Sequence, residues 1–448
     1  MKLPALSESP LLRLSTVMAM YVAQGIQVGL LIVALPAYMA AQGVSLVAIG
    51  GFISALILPW TLKLLYAPLM ERYTFLAMGR RRPWVIVGTL GAALGYFGMA
   101  LVADPLSNLG LLTGVMVAGS LFLALQDVST DALTIDVVPL REQPRANGLM
   151  WGGKVLGAAG TAAATGWLLN TVGMSATLVV AGCVTASFAL IPILVRERPH
   201  ERLLPWTRGE ASEAAAAVQL ESWAEIARSL GRVLFLPASL LGALAGFVMS
   251  TNQGFAEALG PGFTVQHLGW ADTSFSNMIA VAGVVGGVVG MVAGGLLVRW
   301  LGRVRAIQAA LFALVASGIA MGLGATLWSS DLAVQLFFMG SITVRTLATI
   351  AFFALCMALC WRPVAAAQFA LYMAISNFGI AGGAALFGPL ETALTYEQLF
   401  FVFALMPLVA LAILHFVDLE THVARIDALN AKDLRVTHDL TLETPATS

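Results

Sequence analysis

The chain has little charge. Only 11% of its 448 residues are Asp, Glu, Lys or Arg, and 59% are hydrophobic, against about 25% charged in an ordinary soluble domain. A chain this poor in charge cannot present a water-facing surface over a single core, which excludes a soluble globular fold and makes lipid its solvent. The formal net charge is zero, so no nucleic-acid partner is expected. Cysteine and histidine are scarce too. Cys183, Cys356 and Cys360 lie in apolar runs with no His at ligand spacing, and the five His are scattered at 200, 267, 415, 422 and 438. No metal site, redox pair or cofactor is expected, and no nucleophile–base constellation suggests an enzyme. A cleavable signal peptide is excluded as well, because the first apolar stretch, about 14–40, is too long for one.

What is present is a series of long apolar runs. A spanning helix needs about 20 apolar residues. Runs of that kind lie near 14–40, 45–69, 84–103, 109–138, 147–169, 174–195, 234–259, 272–298, 304–328, 332–361, 364–388 and 397–417. They lack the alternation of barrel strands, so the expected fold is an all-α membrane protein with twelve transmembrane helices. Basic residues fall on alternate loops: Arg72 and Arg80 to Arg82, Arg141 and Arg145, six between Arg196 and Arg232, then Arg299, Arg303 and Arg305, then Arg362. The intervening loops carry no Lys or Arg, which places both termini in the cytoplasm and the protein in a bacterial inner membrane.

The loop 196–233 divides a bundle at 1–195 from one at 234–417. Within it Leu220, Trp223, Ala227, Leu230 and Leu234 recur at helical spacing opposite Glu221, Glu225 and Arg228. An amphipathic helix on the inner membrane surface is expected there. The tail 418–448 is polar and expected to fray. The bundles echo each other. Gln27 recurs as Gln253, and the basic turn PLMERYTFLAMGRRRP (68–83) returns as GGLLVRWLGRVR (294–305).

Parallel six-span repeats with an acid–Arg pair followed by Gly-Arg-Arg resemble the major facilitator superfamily. The motif departs from the family pattern in having Glu71 for the usual Asp and extra residues before Gly79. Its second copy has Val298 in place of the acid, which implies a weaker latch. More narrowly, QGIQVGLLIVALPAYMAAQGVSLVAIG, LPWTLKLLYAPLMER, GRRRPW and QDVSTDALTIDVVP with RANGL are similar to the peptide/acetyl-CoA transporter branch, which includes muropeptide permeases and certain siderophore importers. The resemblance implies alternating access, a cavity lined by spans 1, 4, 7 and 10, and spans 5 and 8 touching across the halves. On these spans Gly148, Gly152, Gly157 and Gly160 would face Gly286, Gly290 and Gly294.

Charges within the spans carry the functional argument. Asp127 and Asp131 share one face of span 4 at i, i+4 spacing. Lys63 and Lys154 lie at similar depth in spans 2 and 5, roughly 10–13 Å in from the cytoplasmic ends at 1.5 Å per residue. A lone charge at mid-membrane costs several kcal/mol, so these four should face inward and pair. They form either a permanent structural network or a proton-coupling one that changes partners. Arg345, midway along span 10, has no acid at its depth in its own half, since Glu257 lies nearer the outer end. It meets either Asp127 across the cavity or an anionic substrate group. Gln24, Gln27, Gln126, Asn252 and Gln253 are further cavity candidates. Glu71, Arg72, Arg80, Asp136 and Arg145, with Arg299 and Arg303, are expected to form a surface cluster that latches the cytoplasmic face. The function expected is a monomeric, proton-coupled importer of a small, polar and partly anionic solute, a muropeptide ahead of a siderophore or acyl-CoA. A non-transporting assembly or sensor protein is the alternative class.

Overall fold

The computed structural model describes residues 5–44, 46–219, 222–270 and 272–429. Among these it is all-helical, apart from one isolated bridge between Ala5 and Arg196. The first rod is α1 (Pro10–Gln27), a π-helical stretch Val28–Ala34 and α2 (Leu35–Ala41). Pro36, just past the π-helical stretch, cannot donate to the carbonyl four residues back, and a widened turn ahead of it absorbs the mismatch. The second rod is α3 (Leu46–Thr61) and α4 (Lys63–Arg72), interrupted at Leu62 three residues after Pro59. Then come α5 (Arg82–Ala100), α6 (Leu109–Val137), α7 (Gln143–Thr171) and α8 (Met174–Leu194). The linker holds α9 (Glu213–Ala216) and α10 (Trp223–Leu234). The second bundle has α11 (Pro237–Pro261), which continues as a π-helix to His267. It then has α12 (Asp272–Val289), α13 (Gly295–Leu301), α14 (Arg303–Leu323), α15 (Asp331–Leu359), α16 (Ala365–Ala393) and α17 (Tyr396–His415).

Nine helices among the described residues are long and apolar enough to cross a membrane, or ten if α10 and α11, bent by 79°, are one span. Two expected runs fall short for chemical reasons. The α3–α4 rod is broken at Leu62, and α7 carries Arg145 and Lys154 among small and polar residues.

The linker helix exists, but its phase differs from the expected one. Ile226, Ser229 and Val233 are its buried residues, whereas Trp223 and Ala227 are exposed; Leu220 and Glu221 lie outside the described residues. The buried stripe packs on Trp361 and Val364 in the α15–α16 turn rather than facing lipid. The expectation for the tail is corrected only as far as residue 429, since 430–448 lie outside the described residues. Residues 419–429 are helical, Ile426 and Leu429 join this cluster, and buried His422 bonds the Leu359 carbonyl at 2.9 Å.

The halves meet at the end that carries the basic turns, where α4 and α6 touch α16 and α7 touches α12, α13 and α15. The glycine contacts are partly out of register with expectation. Gly148 faces the Gly290 carbonyl and Gly152 faces Met291, but Gly157 packs on Val22 of its own half. Across the halves the second bundle presents Gly287, against Val155, and Gly295, against Arg145, while Gly286 and Gly294 pack on α15. A Cβ on Gly295 would come within 2.9 Å of the Arg145 Cα, so only glycine allows this approach.

Candidate functional site

Between the halves lies a cavity of about 240 Å³ lined by Lys63, Asp127, Asp131, Lys154 and Arg345. All five charges singled out in the spans thus open onto one space. Lys63 starts α4 just after the break, and its ammonium pairs with Asp127 and lies 5.9 Å from the centre of the Trp60 ring. Asp131, one turn along α6, accepts instead from the Tyr21 hydroxyl, and Lys154 sits 6.0 Å from the centre of the Tyr21 ring. The second lysine therefore meets an aromatic face beside the acids, and among the described residues no ion pair includes it.

Arg345 reaches the cavity from the other half. The Arg345–Asp127 bridge is not formed, because Asp127 holds Lys63; among the described residues no ion pair includes Arg345, and its buried Nη1 has no hydrogen-bond partner. Glu257 is the acid that acts electrostatically on Arg345, and Glu257 itself accepts from Gln253 Nε2 at 2.9 Å.

The neutral candidates separate. Asn252 and Gln253 line the charged cavity, although Asn252 also donates to the Phe403 carbonyl at 2.9 Å. Gln24 and Gln27 line an adjoining compartment. Gln126 is fully buried, donating to the Met20 carbonyl and accepting from Gln24, so it serves helix packing and does not line the charged cavity. Tyr21, Trp60, Trp151 and Asn377 line the cavity without having been singled out. A signal existed for the two tryptophans: each stands three residues before a lysine within a span, in WTLK and WGGK.

The expected surface latch is a buried cluster. Glu71, Arg80 and Arg81 are fully buried, with Arg80 and Arg81 at 2.5 and 2.7 Å from Glu71, and Arg81 at 3.0 Å from Asp136. Asp136 pairs with these arginines and not with Arg145, which is exposed, as is Arg299. The Arg72 guanidinium lies over the Tyr73 and Trp223 rings. Contacts then cross the halves. Arg80 donates to the Arg362 and Pro363 carbonyls at 2.8 and 2.7 Å, and Glu71 accepts from the Ala366 N–H at the start of α16 at 2.7 Å. An anion at a helix N-terminus is favourably placed. Arg303, in the second basic turn, reaches the Leu140 carbonyl in the α6–α7 loop of the first half. Beyond this cluster, burial and the neighbouring Glu197 push the Glu201 carboxyl up to about 7.

The sequence profile of the Major Facilitator Superfamily matches residues 17–383. The chain is 26% identical over 365 residues to the anhydromuropeptide permease of Escherichia coli K12, covering 80% of this chain and 70% of that protein. It is 31% identical over 104 residues to an uncharacterized protein of Haemophilus influenzae; the match spans only 24% of that relative and 23% of this chain. In three dimensions the chain is similar to the E. coli fucose:proton symporter (TM-score 0.65, 12% identity, 91% of this chain and 98% of that one). It is also similar to a bacterial homologue of the iron transporter ferroportin in an outward-facing state (TM-score 0.64, 14% identity, 91% and 99%).

Proposed function

The chain belongs to the major facilitator superfamily, and from that premise we propose that it is a proton-coupled importer of a polar, partly anionic solute such as a muropeptide. It is an integral membrane transporter and not an enzyme. In the proposed arrangement twelve spans form two six-helix halves, with both termini and the basic turns in the cytoplasm and a single chain as the working unit. The cavity then opens to the outer face while the Glu71–Arg80 cluster and Arg303 close the inner one.

One observation carries this reading: the cavity holds three cations, Lys63, Lys154 and Arg345, against two anions, Asp127 and Asp131. With every group ionised the set has one positive charge in excess, and a buried uncompensated charge is costly. A solute carrying one negative charge balances it at Arg345, whose planar fork suits a carboxylate or phosphate. The similarity to the anhydromuropeptide permease supports a peptidoglycan fragment ahead of a siderophore or an acyl-CoA. Proton coupling rests on the two acids: Asp127 with Lys63 and Asp131 with Tyr21 form two units that can exchange partners as one carboxyl takes up a proton. A purely structural scaffold gives no reason to keep Arg345 unpaired.

The test is uptake of labelled anhydromuropeptide into proteoliposomes under an imposed pH gradient. Uptake should depend on the gradient, and Asp127→Asn or Asp131→Asn should abolish that dependence while sparing counterflow exchange. Undiminished gradient-driven uptake by both variants refutes the coupling role.

A further inference from the structure

Beside the charged cavity lies a second compartment of about 640 Å³, more than twice the first. Its walls are Val28 and Ile32 from the π-helical stretch, Leu56 and Trp60 from α3, and Phe378 and Ala381 from α16. Those elements belong to opposite halves, and Phe378, which is 70% exposed, is one of the lining residues. Trp60, Lys154, Asn377 and Ile380 line both compartments, so the two adjoin. Their characters differ sharply. The charges gather in the smaller space, and the larger one has a single ionisable residue, Lys154, at the junction. Of its two glutamines, Gln27 donates to Ser120 at 3.1 Å and Gln24 donates to Gln126 at 3.2 Å, while the buried Gln24 Oε1 has no hydrogen-bond partner among the described residues.

We propose that the two compartments hold one molecule, an amphiphilic anion whose charged end meets Arg345 and whose hydrocarbon portion fills the apolar lobe between α1, α3 and α16. The inference rests on the transport reading and shifts its substrate class from a wholly polar solute to an anion that also carries an apolar portion. A wholly polar solute fills the charged cavity and leaves the lobe facing water it can scarcely bind, since an ordered water needs two to four polar partners. A hydrocarbon group there gains the free energy of leaving water, about fourfold in affinity per buried methylene. Together the volumes fall in the range of about 300–1,000 Å³ that holds ligands of drug size. The lobe's continuity with an unpaired guanidinium decides which end points where.

The probe series is N-acetyl-, N-butanoyl-, N-hexanoyl- and N-octanoyl-glycine, each with one carboxylate, titrated against the full-length protein in lipid nanodiscs. The Arg345→Gln protein in the same nanodiscs corrects for partition into lipid. Affinity should rise about fourfold per methylene over the first members. Ala381→Trp, which fills the lobe, should flatten the series so that long and short probes bind alike. Arg345-dependent binding that does not vary with chain length overturns the lobe's role while leaving the anion site intact. A series that Ala381→Trp does not flatten shows that the chain lies elsewhere, and absence of any Arg345-dependent binding removes the proposal entirely. None of these results alters the outcome of gradient-driven uptake, which tests the transport reading separately.

Discussion

Replacing Arg80 with Lys isolates the contacts between the halves. Arg80 is fully buried, pairs with Glu71 and Asp136 in its own half, and donates to the Arg362 and Pro363 carbonyls of the other. A lysine keeps the positive charge beside the two acids, so no uncompensated buried charge is created. It cannot reproduce a fork that serves an acid and two carbonyls together. At least one charge-assisted hydrogen bond across the halves is lost, worth about 1.5–3 kcal/mol. That shifts the ratio of closed to open inner gate by about 10- to 150-fold toward open. Cys360 supplies the reporter: it is 7% exposed, lies in the α15–α16 turn and lines a pocket at the closed end. With the exposed Cys183 changed to Ser, labelling of Cys360 by a membrane-impermeant maleimide from the cytoplasmic face should accelerate by a similar factor. Arg80→Lys protein that remains folded and labels at the parent rate refutes the argument that these carbonyl contacts hold the gate.

Gly295→Ala should act in the same direction, because its Cβ meets the Arg145 backbone at 2.9 Å and wedges the halves apart; the same labelling rate measures it. Asp127→Asn or Lys63→Met alone should lower stability by about 3–5 kcal/mol through an unpaired buried charge, and the double variant should recover most of it, read by thermal unfolding in detergent. Tyr21→Phe removes the donor to Asp131 and should cost about 1–3 kcal/mol in the same assay. Glu201 titrates at about 7 when folded against an ordinary 4.5. The folded linker therefore binds the proton more tightly than the unfolded one, and its stability should fall as pH rises from about 4.5 to 7. Proteolysis of the 196–216 segment should quicken over that window, and Glu201→Gln should remove the slope.

Charges in the spans were legible because lipid makes them expensive, and Lys63, Asp127, Asp131, Lys154 and Arg345 reach one cavity for the same reason. Their pairing was not legible. Helical depth placed Lys154 level with the acids but could not show that Tyr21, neutral and unremarkable in an apolar run, takes Asp131. Asp136 was expected to join both Arg145 and the Arg80–Arg82 turn; the turn before α5 does fold Arg80 and Arg81 onto it, while Arg145 stays exposed. Phase misled twice. In α10 the bulky Trp223 suggested an apolar stripe, but Ile226 and Val233 are the residues that find a protein surface. In α12 and α13 the Gly286–Gly290–Gly294 spacing marks the face toward α15, and the contact across the halves falls one residue later, at Gly287 and Gly295. Both faces carry small residues, so spacing alone cannot assign them. The helix at 419–429 was hidden by its polar composition, since few apolar residues, among them Ile426 and Leu429, join buried His422 in anchoring it.

On the proposed transport reading, the arrangement of charge at the end that carries the basic turns would also let that end open. Separating a buried ion pair leaves two uncompensated charges, at several kcal/mol each, and a gate built that way would stay shut. Here the ion pairs lie within one half. Glu71, Arg80, Arg81 and Asp136 neutralise one another on α4, the turn after it and α6, and what crosses to the other half is a set of neutral carbonyls and one amide N–H. Arg303 repeats the device in reverse, holding the Ala354 carbonyl of its own half at 3.2 Å and the Leu140 carbonyl of the other. Its motif lacks an acid, with buried Val298 in that position. When the halves part, each guanidinium of the first cluster keeps its carboxylates, and the carbonyls it releases can be taken up by water. The barrier is then set by a few charge–dipole hydrogen bonds, small enough for substrate binding in the cavity to offset.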